Sequence, residues 1–276
     1  MKNDLSSARR PALLLVVAAF ALSSCQTVQT TQPGAVGVQR KQSMLLSSQE
    51  VNQGAVRAYR EELKKAAAKG ALNRNPAQVA RVRAIARRLE AASGAFRPDA
   101  PRWAWETNVI TSKEINAWCM PGGKIAVYTG LIDQLHVTDA ELAAVMGHEI
   151  AHALREHGRE RASQAMAQGM ALSVLGIVVG ANDSGVQLAQ VITDVTFNLP
   201  NSREDEQEAD RIGVELAARA GFDPHAAVTL WQKMARASGG GPPQFLSTHP
   251  SPENRIRDLQ VYAERVMPLY RAAQRR

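Results

Sequence analysis

Cysteine is nearly absent from this sequence: Cys25 and Cys119 are the two in 276 residues. Two thiols cannot build the disulfide framework of a small exported scaffold, so the fold must depend on its core and on any bound metal. Aromatic residues make up 5% of the chain and are not interleaved with basic residues as single-stranded nucleic-acid binding requires. The net charge of +7 is scattered, so we expect no nucleic-acid partner, although weak attraction to anionic lipid headgroups is compatible with it.

Long apolar runs are also missing, because the run Leu13–Leu22 is too short to span a bilayer. It follows a positively charged start, as in an export signal. The small residues and Cys25 after it resemble a bacterial lipoprotein cleavage site, which predicts a signal peptide over residues 1–24 and a lipid on Cys25. An ordinary secretory site with an incidental cysteine is the alternative. By the same resemblance, Gln26 in place of Asp indicates an outer-membrane lipoprotein facing the periplasm.

The rest of the chain divides into two parts. Residues 25–45 are rich in Gln, Thr, Gly and Val without periodicity, which predicts a flexible tether. Residues 46–276 are predicted to form one domain. Within it, the uncharged stretch Met170–Ala181 is short for a membrane span, so burial is favoured over membrane contact.

One motif, His148-Glu149-Ile150-Ala151-His152, carries most of the chemical information. On a helix, His148 and His152 lie on the same face and can bind one metal ion, while Glu149 lies where it can accept a proton from an attacking water. This pattern is typical of zinc-dependent peptidases. The alternative is a solvated surface helix, but the flanking residues are apolar on nearly every side, and a helix of that kind is buried.

Local signals predict an α+β, mostly helical domain. Thr138 and Glu141 form a capping box, which starts the motif helix at about residue 139; it should run to about residue 168 with a break near Gly158. Alternating patterns at 103–110, 113–118 and 124–129 predict a small antiparallel sheet beside this helix. Further helices are predicted over 47–69, 76–93, 202–219, 226–237 and 252–273.

A catalytic zinc needs a third protein ligand. The extended pattern with a third histidine is excluded, because Arg155 and Gly158 occupy its glycine and histidine positions and His157 falls one residue early. A glutamate further along the chain is therefore expected. The acidic stretch 202–210 contains the candidates.

Four motifs in order resemble the M48 family of metallopeptidases, in its soluble, periplasmic, lipoprotein-type branch. They are Asn116-Ala117 with Pro121-Gly122-Gly123, Gly147 to His152, Ser202-Arg203-x-x-Glu206-x-x-Ala209-Asp210, and Thr248-His249-Pro250. The resemblance implies a gluzincin fold, one zinc ion per subunit and endopeptidase activity on protein substrates. For the outer-membrane branch it also implies quality control of envelope proteins, and it leaves open a partnership with outer-membrane assembly machinery.

The resemblance also assigns roles to individual residues. It makes Glu206 the third zinc ligand, against the alternative of a solvated helix start. It makes Asp210 the carboxylate that orients a ligand histidine, with Arg255 a weaker candidate in the same surroundings. The segment Asn116, Ala117 and Trp118 is expected to hold the substrate backbone.

His249 is expected near the zinc, where two roles are open: stabilising the oxyanion, or occupying the open zinc position in a self-inhibited resting state. The alternative is a loop histidine packed under the last helix. Cys119 is interpreted as a packed strand residue, and zinc coordination by its thiolate is the alternative. At the level of the whole protein, the competing hypothesis is a chaperone-like or scaffolding lipoprotein whose zinc site is mainly structural or self-inhibited.

Overall fold

The structure, a computed structural model, describes residues 26–174, 184–237, 244–250 and 254–275. The strands are β1 (Gln26–Val28), β2 (Gln42–Met44), β3 (Glu106–Ile110), β4 (Ala117–Met120) and β5 (Lys124–Tyr128). The first helices are α1 (Ser48–Ala68), α2 (Pro76–Ala92), α3 (Thr129–Leu135), α4 (Asp139–Leu154) and α5 (His157–Val174). The remaining helices are α6 (Ser184–Phe197), α7 (Arg203–Arg219), α8 (Ala226–Ala237), α9 (Gln244–Thr248) and α10 (Arg255–Ala273). The predicted α+β, mostly helical class is confirmed.

The main sheet has the strand order β3-β5-β4 and is mixed, which corrects the prediction of an antiparallel sheet. β4 pairs antiparallel with β5 through the turn that contains Gly122 and Gly123, both at positive φ. β3 pairs parallel with β5 on its other side. The prediction failed because an alternating pattern identifies a strand but does not give the direction of its partner, and the chain between β3 and β4 crosses to the far edge.

Each face of this sheet packs against helices, so β4 is buried along its whole length. Ala117 and Cys119 face the main core, which α2, α4, α7, α8 and α10 complete. Trp118 and Met120 face a smaller apolar cluster with α1 and α6. The sheet therefore holds one edge strand rigidly beside the motif helix α4, against which β4 packs.

Helix α4 packs most closely against α7, and two glycines set the distance between them. A Cβ atom on Gly147 would lie 2.9 Å from the carbonyl oxygen of Gly213, and one on Gly213 would lie 2.8 Å from the backbone nitrogen of His148. Because both contacts are with backbone, no side-chain movement can relieve them. Hydrogen in place of a side chain at these two positions lets the helices approach closely.

The predicted tether is wrong for residues 26–45, which pack on the domain. Val36 and Val38 are buried in the main core, and β1 pairs with β2. Arg40 forms ion pairs with carboxylates of α5 and α7, and the amide of the fully buried Gln42 donates to Glu160 of α5. Local composition does not predict that this segment is ordered, because the partners of Arg40 and Gln42 lie more than a hundred residues away. The predicted signal peptide and Cys25 lie outside the described residues.

Helix α4 has the break that its pattern predicts near Gly158, and this break falls at Arg155 and Glu156. It starts with the predicted capping box and stops at Leu154, and Glu156 adopts a positive φ of 53° before α5 begins. The side chain of Glu156 is held by Arg97 and Arg159, which fixes this unusual turn. Most of the apolar stretch 170–181 lies outside the described residues. Across the described helices, none combines the length and hydropathy that a bilayer crossing requires.

Candidate metal centre

The two motif histidines project from the buried face of α4 toward the same point. The Nε2 atoms of His148 and His152 are 3.1 Å apart, and both side chains are almost fully buried. Their spacing of four residues places one ring above the other, as the sequence predicts. Both rings therefore present Nε2 to one small space.

Glu206 reaches this space from the first turn of α7. Its Oε2 lies 3.4 Å from Nε2 of His148, and its Oε1 lies 3.3 Å from Nε2 of His152. Ser202 caps α7 with a reciprocal pair of hydrogen bonds to Asp205, so the helix begins at a fixed residue. The capped start and the close packing of α7 on α4 together determine where the Glu206 carboxylate lies.

His249, which follows α9, completes the group. Its Nδ1 is 2.9 Å from Oε1 of Glu206 and 3.3 Å from Nε2 of His148. The ring stacks on Phe245 at a centroid distance of 4.3 Å. We call four buried residues the metal group, because their ligand atoms lie within 4.8 Å of one another: His148, His152, Glu206 and His249.

The chemistry of this group fits a bound cation. The Nε2 atoms of His148 and His152 converge on the Glu206 carboxylate, so two imidazole nitrogens and a negative charge can bind one cation. Burial alone would raise the pKa of Glu206, but His249 and His148 hold it well below its ordinary value, so this carboxylate is ionised. Imidazole nitrogens with a carboxylate are the ligands that zinc takes in peptidases.

Comparison with known proteins identifies the family. The sequence model of peptidase family M48 matches residues 76–263, which is more than half of the chain. The chain belongs to peptidase family M48. This confirms the resemblance drawn from the four motifs.

Two kinds of relative stand out among the similar proteins. The mitochondrial metalloendopeptidase OMA1 of Schizosaccharomyces pombe is 39% identical over 161 residues, 57% of this chain and 46% of that protein. OMA1 of Arabidopsis thaliana is 35% identical over 173 residues, 62% of this chain and 34% of the relative. The β-barrel assembly-enhancing protease of Escherichia coli is 31% identical over 171 residues, 58% of this chain and 35% of the relative. The matches thus span about a third to a half of the length of these relatives.

Glu149 of the M48 motif lies beside the metal group at the wall of a cavity. Its Oε1 is 3.4 Å from Nε2 of His249 and has no hydrogen-bond partner within the described part of the chain. Burial raises the pKa of the Glu149 carboxyl above its ordinary value, although His249 and His148 oppose this. A buried carboxyl of raised pKa with a free oxygen is suited to take up and release a proton.

The segment predicted to hold substrate lines the same cavity. Asn116, Ala117 and Trp118 lie along it on and before β4, an edge strand of the described sheet. Across the cavity is the end of α6, where Phe197 meets Trp118 edge to face at 5.4 Å. Cys119 is also buried here, and burial raises the pKa of its thiol well above the ordinary value. Its sulfur is not part of the metal group, in agreement with a packed strand residue.

Asp210 and Arg255 lie behind the metal group, on the side of His148. Asp210 Oδ1 is 3.0 Å from Nδ1 of His148, on the opposite side of the ring from the group. One guanidinium nitrogen of Arg255 donates to Asp210 at 2.7 Å and to Glu206 at 3.0 Å. Asp210 thus contacts His148, and Arg255 contacts both Asp210 and Glu206.

Two other polar neighbours of the site are not predictable from the motifs. Asn201 donates to Glu206 at 2.7 Å and lies 3.1 Å from Nδ1 of His249, but it stands outside any spaced motif. His157 Nδ1 lies 2.8 Å from Nδ1 of His152. In the sequence His157 was notable only as a histidine one residue too early for a third ligand. Its position beside His152 depends on the turn between α4 and α5.

Proposed function

We propose that this chain is a zinc-dependent endopeptidase of the cell envelope. The observation that carries the proposal is the Glu149 carboxylate, one oxygen of which has no hydrogen-bond partner in the described part of the chain, held beside a buried group of metal-binding side chains at the wall of a cavity. A site that only stabilised the fold through a metal would not need this carboxylate. Membership of a peptidase family supports the same reading.

In this proposal His148, His152 and Glu206 hold one zinc ion per chain. Bound zinc supplies Lewis-acid polarisation of the scissile carbonyl and acidifies the attacking water. Asp210 fixes the ring of His148 from behind, and Arg255 holds Asp210 and Glu206 in place. The ligand positions are thus set before the ion binds, which favours both affinity and geometry.

Glu149 performs the proton transfers. Its carboxylate accepts a proton from the attacking water and delivers that proton to the leaving amine. The raised pKa of Glu149 helps it to hold the proton between the two transfers, because burial favours the protonated carboxyl. Asn116, Ala117 and Trp118 on the edge strand hold an extended substrate backbone by strand addition, which suits cleavage within a chain.

His249 is proposed to control this site. Its contacts with Glu206 and with Glu149 support two alternative roles, stabilising the oxyanion or occupying the open metal position in a resting state. The variant His249→Ala distinguishes these roles, because peptidase activity falls in the first case and rises in the second. Unchanged activity would reject both.

We further propose that the protein degrades misfolded or misassembled envelope proteins. Support comes from the names of the relatives, which include a β-barrel assembly-enhancing protease and mitochondrial metalloendopeptidases, and from the predicted lipid site at Cys25. In this proposal the chain is a lipoprotein of the outer membrane that faces the periplasm. Outer-membrane assembly machinery is its proposed partner.

The proposed activity predicts that Glu149→Gln abolishes cleavage while zinc is retained. General acid–base catalysis contributes about 10²- to 10⁴-fold, so casein cleavage by the purified full chain should fall at least about 100-fold. Zinc content should stay at one ion per chain in both proteins. Glu61→Gln, at an exposed position of α1, is the matched control and should leave both unchanged.

Three outcomes would contradict parts of this proposal. Absence of zinc from the wild-type chain would contradict the metal centre itself. Zinc with full cleavage in Glu149→Gln would reject the assigned role of Glu149. Zinc in the wild-type chain without cleavage even in His249→Ala would favour a chaperone-like or scaffolding protein.

A further inference from the structure

A second polar cluster lies behind His152, on the side away from the metal group. It contains His157, Asp205 and Glu208, all buried, with the guanidinium groups of Arg155 and Arg40 beside them. The proposed peptidase mechanism uses none of these residues. Burying so many charges is costly unless each is paired.

This cluster is better suited to hydrogen bonding than to a second metal ion. His157, Asp205 and Glu208 are close enough to hold a cation. The Glu208 carboxylate, however, already has the fully buried Arg155 at 2.9 Å and Arg40 at 3.0 Å. Two guanidinium cations at these distances neutralise the carboxylates and repel another cation. The ring of His157 lies between Glu208 and His152.

Counting donors and acceptors gives the direction of each hydrogen bond. The Nε2 of His157 is 3.0 Å from Oε2 of Glu208, and an ionised carboxylate only accepts, so this nitrogen carries a hydrogen. In a neutral ring the other nitrogen, Nδ1, then has a lone pair. It lies 2.8 Å from Nδ1 of His152 and accepts the hydrogen there. His152 is thereby left with a lone pair on Nε2, the atom that faces Glu206 and His148.

We propose that His157 is a positioning residue that holds His152 in the tautomer required of a metal ligand. Glu208 orients His157, and Arg155 and Arg40 hold Glu208. Arg40 belongs to the N-terminal segment, which is therefore part of the support for the metal centre. This inference rests on the proposed zinc site but concerns the affinity and geometry of the site, not the cleavage reaction.

The physical effect is on the choice between two tautomers. Without an acceptor at Nδ1, His152 can place its hydrogen on Nε2, which then cannot bind a metal, and its ring can rotate. Groups that orient a ligand histidine typically change metal affinity by about 10- to 100-fold when they are replaced. His157 meets the requirement for such a group because its two nitrogens each have a fixed partner.

The test compares zinc affinity of full-chain variants by competition with a chelator. His157→Phe keeps a planar ring but removes both hydrogen bonds, so zinc should bind about 10- to 100-fold more weakly. His157→Asn places an amide oxygen near the position of Nδ1 and should recover most of the affinity. His225→Phe, at a partly exposed histidine outside both polar clusters, is the matched control and should bind as wild type. Wild-type affinity in a folded His157→Phe variant would overturn the inference.

A second measurement needs no variant. In the metal-free full chain, the ¹⁵N chemical shifts of the His152 ring should show hydrogen on Nδ1 and a lone pair on Nε2. The opposite tautomer would overturn the inference even if His157→Phe failed to fold. A wild-type chain that binds no zinc would instead contradict the proposed function. The two failures are therefore distinguishable.

Discussion

The two histidines of the motif stand one turn apart on the same helix, yet their outer partners differ. Behind His148 is a carboxylate, Asp210, which Arg255 of the C-terminal helix α10 holds. Behind His152 is another imidazole, His157, and the Glu208 carboxylate lies on the far side of that ring. We call these contacts the two supports. The support of His148 is a direct contact with a carboxylate. The support of His152 is a chain of hydrogen bonds through His157 to Glu208, and Arg40 of the N-terminal segment helps to hold Glu208.

The partners give the two rings opposite electrostatic properties. Burial lowers the pKa of His148, but the carboxylates of Glu206 and Asp210 outweigh it and raise that pKa to about 9. Burial lowers the pKa of His152 well below its ordinary value, and Glu206 does not compensate for it. Residue type and spacing therefore do not determine the charge of each ring, because Glu206 and Asp210 both raise the pKa of His148, whereas at His152 the neighbouring histidines oppose the effect of Glu206.

Removing the cation from the support of His148 should cause the largest loss of unfolding free energy. Arg255→Met leaves Glu206 and Asp210 buried without their cation, so the metal-free protein should lose about 3–5 kcal/mol of unfolding free energy. Arg40→Met in the other support should cost less, because Glu208 keeps Arg155. Urea unfolding of the metal-free chains measures both. Equal losses would show that the two supports do not differ in this way.

Weakening the same support without removing a cation should have an intermediate effect. Asp210→Asn keeps the shape of the side chain but removes the negative charge next to His148. Zinc should then bind about 10- to 100-fold more weakly in a chelator competition. Asp133→Asn, at an exposed position of α3, should bind zinc as wild type does. An unaltered affinity in Asp210→Asn would mean that its charge does not contribute.

The smallest loss of unfolding free energy is expected at Glu156, a buried carboxylate that contacts no proposed metal ligand. Burial would raise the pKa of Glu156, but hydrogen bonds from Arg97 and Arg159 hold it below the ordinary value. The unfolded chain therefore binds more protons in acid. The stabilisation is complete above the unfolded-state pKa of about 4.3 and is lost as the pH falls through the folded-state value.

Glu156→Gln should accordingly lower the unfolding free energy at pH 7 by about 1 kcal/mol. The difference from wild type should be smaller at about pH 3, because that pH lies below the unfolded-state pKa and part of the stabilisation of the wild type is already lost. Urea unfolding at the two pH values measures this difference, and zinc affinity at pH 7 should not change. A difference that is the same at both pH values would contradict the assigned ion pairs.

Local signals in the sequence were enough for much of the fold. The capping box of Thr138 and Glu141 gives the start of α4, and Ser202 gives the start of α7, because a cap involves residues three apart. The direction of β3 and the order of residues 26–45 were not predictable in this way. Both depend on contacts between segments far apart in the chain.

The same distinction between local signals and long-range contacts applies to the candidate site. The spacing of His148 and His152 predicts a shared metal on one helix, and the family resemblance supplies Glu206. Neither Asn201 nor the role of His157 follows from spacing, because each depends on how separate helices meet. Their contacts become visible once α4, α5 and α7 are packed together.

The glycine contact between α4 and α7 has a consequence for when the protein acquires its chemistry. His148 and Glu206 are 58 positions apart in the chain, and they come together when Gly147 and Gly213 pack back to back. A chain still emerging during synthesis, with α7 not yet docked, holds its histidines without their carboxylate. The metal centre therefore cannot be complete before α7 docks on α4, so a partly made chain lacks the carboxylate of the proposed peptidase site.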